Sequence, residues 1–298
     1  MPPPARPGRH RASLRRPDEP RIITVANQKG GVGKTTTTVN VAAALAQGGA
    51  QVLVIDLDPQ GNASTALGIP HHEGVQGIYD VLIDAMPLAE VVQPSSSVDG
   101  VSCAPSTVDV AGCEIELVNL ERREFRLREA LRRHVGPDSP AGNGPDRLYD
   151  YVLIDCPPSL GLLTINAFTA GTEVLIPIQC EYYALEGLTQ LVRSVDLIQQ
   201  HLNPHLRISG ILMTMFDART RLSAQVAAEV REHFGELVFP TSIPRSVRIS
   251  EAPSHGETVL TYDPSSVGAL SYREVAVELS EQTWATTSPP DQHRSADE

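Results

Sequence analysis

Short, mostly apolar runs alternate along this chain with longer stretches whose apolar residues recur every three or four positions. Ile22–Ala26, Gln51–Asp56, Tyr151–Asp155, Glu173–Ile178 and Ile208–Met215 are runs of the first kind. Their continuous Val, Ile and Leu content predicts strands buried on both faces. Lys34–Gln47, Leu185–Leu202, Leu222–Phe234 and Val267–Gln282 carry the helical spacing, and Gly48-Gly49 stops the first of them. This alternation predicts an α/β fold: a mostly parallel central sheet flanked by helices on both faces. Ligands of such sheets bind at the carboxyl ends of the strands. Residues 114–135 are highly charged at helical spacing and predict one or two surface helices, and 138–147 read as a loop insertion.

Composition narrows the function classes. Hydrophobic residues make up 41% of 298, enough for a sizeable core, but aromatics are only 4%, so Val, Leu, Ile and Ala must build it. Four cysteines show no CxxC or CxxH spacing, which argues against zinc or iron–sulfur sites and for reduced thiols in an intracellular chain. No apolar run reaches the ~18–20 residues of a membrane span, and the N-terminus lacks the apolar stretch of a secretory signal. The net charge of −12 argues against a surface that coats nucleic acid everywhere, while leaving room for a local basic patch. Residues 1–20 hold six Pro and five Arg and read as a disordered basic arm. Residues 21–284 read as a single domain and 285–298 as a disordered acidic tail.

Of the 24 basic residues only two are lysines, Lys29 and Lys34, and both lie in one glycine-rich loop. The predicted strand Ile22–Ala26 runs into Asn27-Gln28-Lys29-Gly30-Gly31-Val32-Gly33-Lys34-Thr35-Thr36, where a helix begins. Strand, glycine loop, Lys-Thr and helix is the context of a phosphate-binding loop. Glycines let backbone N–H groups face the phosphates, and the helix N-terminus adds its dipole. In that motif Lys34 reaches the β- and γ-phosphates and the Thr35 hydroxyl ligates Mg2+. With both lysines in the loop, no guanine-reading N-K-x-D motif can exist, so the nucleotide expected is ATP.

Two further segments carry carboxylates at strand ends. Asp155 closes the run YVLID and continues into Cys156-Pro157-Pro158-Ser159, an apolar strand ending in the magnesium-holding aspartate of a Walker B pattern. Asp56 and Asp58 lie two apart in DLDPQGN. On residues alone they read either as carboxylates facing a metal-bound phosphate or as the caps of a turn.

The form K-G-G-V-G-K-T departs from the standard loop, with Gln28 where a glycine is usual and Lys29 at the front. It resembles the deviant Walker A motif of the ParA/MinD family of P-loop NTPases. DLDPQGN and DCPPS are similar to that family's segments, and the segments Gln179–Gly187 and Ile243–Ser254 look like its chromosomal ParA (Soj) branch. The resemblance covers about residues 21–282. It implies that Lys29 crosses a dimer interface to the partner's nucleotide, and that Lys29, Asp58 and Lys34 form the catalytic set. Asp58 would orient or deprotonate the attacking water, and Thr35, Asp56 and Asp155 would hold the magnesium. It implies ATP contacts from Lys29, Gly30, Gly31, Val32, Gly33, Lys34, Thr35 and Thr36, with adenine near Pro244 and Arg245.

By the same resemblance the ATP-bound homodimer binds double-stranded DNA without sequence preference. Hydrolysis stimulated by a ParB-type partner would then reset the cycle of chromosome segregation, in the cytoplasm and on the nucleoid. Arg219 and Arg248 align with arginines that bind DNA in similar Soj proteins; the lesser alternative is that they are ordinary surface arginines. The N-terminal arginines, Arg6 to Arg16, either add to that contact or are simply solvated. MinD-type members end in a basic amphipathic helix, whereas this chain ends acidic and proline-containing, so no membrane contact is expected. A related alternative is an ATPase that positions another cargo or regulates cell division. A metabolic enzyme or electron donor on the same scaffold is the distant third reading, because the cysteine spacing of the latter is missing.

Overall fold

The computed structural model describes residues 14–136, 139, 147–181 and 184–282. Arg6, Arg9 and Arg11 of the arm, most of the 138–147 insertion, Tyr182-Tyr183 and the acidic tail lie outside the described residues. The elements run β1 (Arg21–Val25), α1 (Lys34–Gln47), β2 (Val52–Asp56), α2 (Asn62–Ala66), α3 (Ile78–Leu82), α4 (Leu88–Val91), β3 (Gln93–Pro94), β4 (Val101–Ala104) and α5 (Val110–Leu117). They continue with α6 (Arg126–His134), β5 (Tyr151–Asp155), α7 (Leu162–Ala170), β6 (Glu173–Gln179), α8 (Ala184–His201) and β7 (Arg207–Thr214). The last helices are α9 (Arg221–Phe234), α10 (Val247–Glu251), α11 (Val259–Tyr262) and α12 (Val267–Glu281).

One seven-stranded sheet has the order β3-β4-β2-β5-β1-β6-β7, parallel throughout except for the two-residue edge strand β3. This is the expected α/β architecture. Side chains that alternate along each apolar strand go to opposite layers. Leu53 and Ile55 of β2 join one core with Leu163, Phe168 and Leu191. Val52 and Val54 join the other with Leu45, Tyr272 and Leu279. The five long strands are mostly apolar because both faces are covered, and the buried charges Arg21 and Glu173 at the starts of β1 and β6 pair with each other.

The helix boundaries have local causes. Thr220 caps α9, its Oγ1 accepting the Ser223 N–H at 3.3 Å, and Ser266 does the same for α12 through Ala269 at 3.3 Å. The expected helical region 114–135 divides into the end of α5, a 3₁₀ turn at Arg123–Phe125, and α6. Residues 57–113 hold short elements with no periodic signature, including β3 and β4. At the start of the described chain, Leu14 packs beside Ala46 against one core, and Arg16 pairs with Asp150.

Strand order is what assembles the site. β5 lies between β2 and β1, with Asp155 opposite Val25 on one side and Asp56 on the other. The glycine loop, the DLD segment and Asp155 are far apart in sequence. They leave three adjacent strands at the same carboxyl edge.

Candidate nucleotide site

Asn27 sets the start of the loop: its Nδ2 donates to the Pro177 carbonyl at 2.8 Å and its Oδ1 accepts the Lys29 N–H at 3.0 Å. Gly31 and Gly33 have φ of +75° and +86°. A Cβ in that left-handed region costs ~1–2 kcal/mol, so glycine is the fitting residue. Gly33 is also the N-cap of α1, which brings the helix's first amides to the loop's concave side. Thr214, at the end of β7, braces the loop from below; its Oγ1 lies 2.7 Å from the Val32 carbonyl and 3.0 Å from that of Ile178.

Two adjoining hollows open there. The larger, about 390 Å³, is lined by Gly30, Gly31, Lys34, Thr35, Asp58 and Pro158 among others. The smaller, about 160 Å³, is lined by residues including Pro244, Arg245, Ser246, Ile249 and Tyr272. Gly33, Thr36 and Met215 border both. A hollow at a helix N-terminus, holding Lys34 and Thr35, that adjoins a second one lined by Pro244, Ile249 and Tyr272 has room for a phosphate chain followed by a base. Pro244 and Arg245, expected near the adenine, line the smaller hollow. Met215 holds φ +51° at the junction, an uncommon conformation for a residue with a side chain. Nothing in the sequence singles it out.

The charged groups are mostly buried. Lys34 is 6% exposed, and its Nζ donates to the Lys29 carbonyl at 3.2 Å. Burial lowers its pKa, opposed by the carboxylates of Asp155 and Asp58. Asp155 is fully buried; burial first, and then the neighbouring Asp56 carboxylate, push its pKa up, while the Thr35 and Thr38 hydroxyls pull it down. Thr38 Oγ1 donates to Asp155 Oδ1 at 3.0 Å, but the buried Asp155 Oδ2 has no hydrogen-bond partner. Thr38 sits one helical turn after Lys34, so the only trace of its role in the sequence is the run of four threonines that it ends.

This donor set fits a magnesium ion. A buried carboxylate oxygen without a partner beside Thr35 is a hard-oxygen position, and Mg2+ takes one or two protein oxygens and completes its shell with water and phosphate. Asp56 is placed differently. Its Oδ2 accepts Ser64 N–H and Oγ–H at 2.9 and 2.8 Å, and its Oδ1 accepts the Asp58 N–H at 3.2 Å. Burial raises its pKa, and those bonds oppose the rise. Asp56 thus anchors the start of α2 and positions Asp58. Asp58 satisfies both sequence readings: its Oδ1 caps the turn through Gln60 N–H at 3.0 Å, and its side chain lines the larger hollow.

Three expected site residues lie outside this cluster. The Lys29 ammonium is paired with Glu181, and the lysine side chain is 47% exposed. Arg219 is exposed and bound to Asp217 at 2.9 Å. Arg248 is exposed and within 3.4 Å of Glu251 and 3.5 Å of Asp263. No helix among the described residues is long and apolar enough to cross a membrane.

Comparison with known proteins agrees with this geometry. A family described as an AAA domain matches residues 20–208, which include the loop and Asp155. The sporulation initiation inhibitor protein Soj of Bacillus subtilis is 51% identical over 259 residues, covering 87% of this chain and 98% of that protein. The chromosome partitioning protein ParA of Myxococcus xanthus is 49% identical, covering 87% of each. Among solved structures, cobyrinic acid a,c-diamide synthase from Mycobacterium smegmatis with bound ATP analog and magnesium is 36% identical, with a TM-score of 0.71 over 86% of this chain and 93% of that one.

Proposed function

Because the chain belongs to the ParA/Soj family of P-loop ATPases, we propose that it is a chromosome-partitioning ATPase that hydrolyses ATP with Mg2+. The observation that carries the reading is the strand order β2-β5-β1, which brings the loop and Asp58 to one hollow, with the buried Asp155 within electrostatic reach of Lys34. The ranking of relatives supports partition over amide synthesis: the Soj and ParA proteins are closer in sequence, at 51% and 49%, than the synthase at 36%.

The residues divide the work. The loop amides and Lys34 hold the β- and γ-phosphates of ATP. Thr35 and Asp155 hold the magnesium, which when bound neutralises charge on the phosphate oxygens. Asp58 orients the attacking water and accepts its proton. Lys29 acts on the nucleotide of a second copy across a face-to-face dimer. Its engagement with Glu181, outside its own phosphate loop, supports that role. Turnover in the isolated protein is slow, because the dimer and a ParB-type partner complete the site. The ATP-bound dimer binds DNA without sequence preference through Arg219 and Arg248, in the cytoplasm and on the nucleoid. Each arginine must exchange a carboxylate for a phosphate, so each patch is weak and pairing two of them by dimerisation switches binding on.

The direct test is duplex DNA binding with ATP, with ADP and without nucleotide across salt concentrations. Tight, salt-sensitive binding with ATP is expected; equal binding in all three states would sink the dimer switch. Arg248→Glu should lose this binding and keep ATP-dependent dimerisation. Asp58→Ala should still dimerise with ATP, with turnover down roughly a hundredfold or more. An Asp58→Ala protein that stays monomeric in analytical ultracentrifugation would refute the role given to Asp58.

A further inference from the structure

Asp58 can orient a water only if its own backbone is held, and the stretch that carries it is short of regular structure. Residues 57–61 form no helix or strand, and α2 spans only Asn62–Ala66. One buried side chain holds both ends of this stretch. Asp56 Oδ1 accepts the Asp58 N–H at 3.2 Å, while its Oδ2 accepts the Ser64 N–H and Oγ–H at 2.9 and 2.8 Å. The Ser64 hydroxyl carries a second tie: its Oγ accepts the N–H of Ser106, just past the end of β4, at 3.2 Å. Asp56, Ser64 and Ser106 are all fully buried. The stretch also lies tight against that strand end. Gly61 holds φ +62°, and a Cβ there would stand 3.4 Å from the Ser106 carbonyl oxygen and 2.8 Å from the His71 ring.

We propose that Ser64 is a positioning residue for ATP hydrolysis, holding Asp58 in place through the Asp56 carboxylate. The inference rests on the reading of Asp58 as the group that orients the attacking water, and it adds the residue that orients Asp58.

Two observations separate this role from plain satisfaction of a buried acid. A carboxylate out of water is costly to keep even when it is hydrogen-bonded, and Asp56 stands opposite a second buried carboxylate, Asp155, across β2 and β5. A fold that only needed the space filled would be served as well by apolar side chains of the same shape. The second observation is where the bonds go. All three hydrogen bonds that the Asp56 carboxylate accepts come from Asp58 and Ser64, the two ends of the stretch that brings Asp58 to the larger hollow.

The hydroxyl is the part of Ser64 that joins three segments. It donates to the last residue of β2, accepts from the chain after β4, and is itself carried by α2. Without it, Asp56 Oδ2 keeps only the Ser64 N–H, and the tie to Ser106 is gone. The start of α2 is then free to shift against β4, and the Asp58 turn shifts with it. A misplacement of about 1 Å in a reacting group costs on the order of a hundredfold in rate.

The test is single-turnover hydrolysis of ATP with Mg2+ by wild type, Ser64→Ala, Asp58→Ala and the double variant. Ser64→Ala should lower the rate roughly ten- to a hundredfold. Its ATP affinity, its ATP-dependent dimerisation and the Mg2+ concentration for half-maximal rate should stay at wild-type values. In the Asp58→Ala background the same change should cost nothing further, because Ser64 acts only through Asp58. A wild-type rate in Ser64→Ala beside a slow Asp58→Ala would overturn the inference and leave the partition reading standing. An equal loss in both backgrounds, or a loss of ATP binding, would show that Ser64 serves the fold and would overturn it too. A raised magnesium requirement would mean that the Asp56–Ser64 pair supports the metal and not Asp58, with the same consequence. Full turnover in Asp58→Ala would instead remove the reading of Asp58 on which the inference stands.

Discussion

Replacing Lys34 by alanine is expected to abolish nucleotide binding over any usable concentration range. The ammonium is buried, and the phosphates it meets would be taken out of water with it. Truncating one partner of such a desolvated charge pair costs about 2–5 kcal/mol, or roughly 30- to several-thousand-fold in affinity at 1.4 kcal/mol per tenfold. The larger end applies here because Lys34 is the cation that offsets both Asp58, which lines the hollow, and the buried Asp155. Without it, incoming phosphate meets two carboxylates and no compensating side chain. Isothermal titration with ATP and Mg2+ checks the result. Retained tight binding would remove the loop assignment altogether. Lys34→Arg should fare nearly as badly, since a planar fork does not fit the space in which Nζ meets the Lys29 carbonyl at 3.2 Å.

Asp155→Asn should divide stability from function in opposite directions. Asp155 is fully buried beside Asp56, and its Oδ2 has no partner. Its carboxyl pKa is raised by burial and by Asp56. A group whose folded pKa lies above its unfolded value contributes stability at low pH that is lost as pH rises. The nucleotide-free protein should therefore lose stability from this group as pH climbs from the ordinary carboxylate range toward neutrality. Asparagine keeps the Thr38 bond at Oδ1 and leaves one amide without a partner, a cost of about 1–3 kcal/mol. Holding a proton on the Asp155 carboxyl, whose pKa is raised to about 8, costs more at neutral pH, because the unfolded chain would release it. The variant should thus melt higher than wild type without nucleotide near neutral pH, by a few degrees or about 2–4 °C per kcal/mol, with a flatter pH dependence. Its melting shift on adding ATP and Mg2+ should shrink, because the magnesium position has lost its negative oxygen. Scanning calorimetry from acidic to neutral pH, with and without the ligands, separates the effects. A variant that melts lower at neutral pH and keeps the full ligand shift would show that Asp155 is a structural residue.

Lys34 and Asp155 are both legible in the amino-acid sequence, and the reason is locality. Strand, glycine loop and helix are contiguous, so the requirement of Gly31 and Gly33 for positive φ and the amides of α1 are settled within a dozen residues. The same holds for Asp155 at the end of an unbroken apolar strand. Residues 57–113 are not legible for the opposite reason. β4 is four residues long, β3 is two, and α2, α3 and α4 are one turn or little more. Elements that short are held by their neighbours and leave no periodic signature. Ser64, Thr38, Thr214 and Met215 are equally silent in sequence, because each matters through a partner distant along the chain or through a backbone angle.

The sequence by itself determined the alternating strands and helices, the phosphate loop, the three aspartates and the family. These rest on hydrophobic period and on motifs whose chemistry needs adjacent residues. Only the tertiary structure decided that β5 inserts between β2 and β1, and so that Asp56 and Asp155 face each other across one sheet edge. It alone turned Asp56 toward Ser64 and left Asp155 Oδ2 unpaired. Strand order and side-chain direction are set by which surfaces can be buried together, a property of the whole packed chain that no local stretch of it carries.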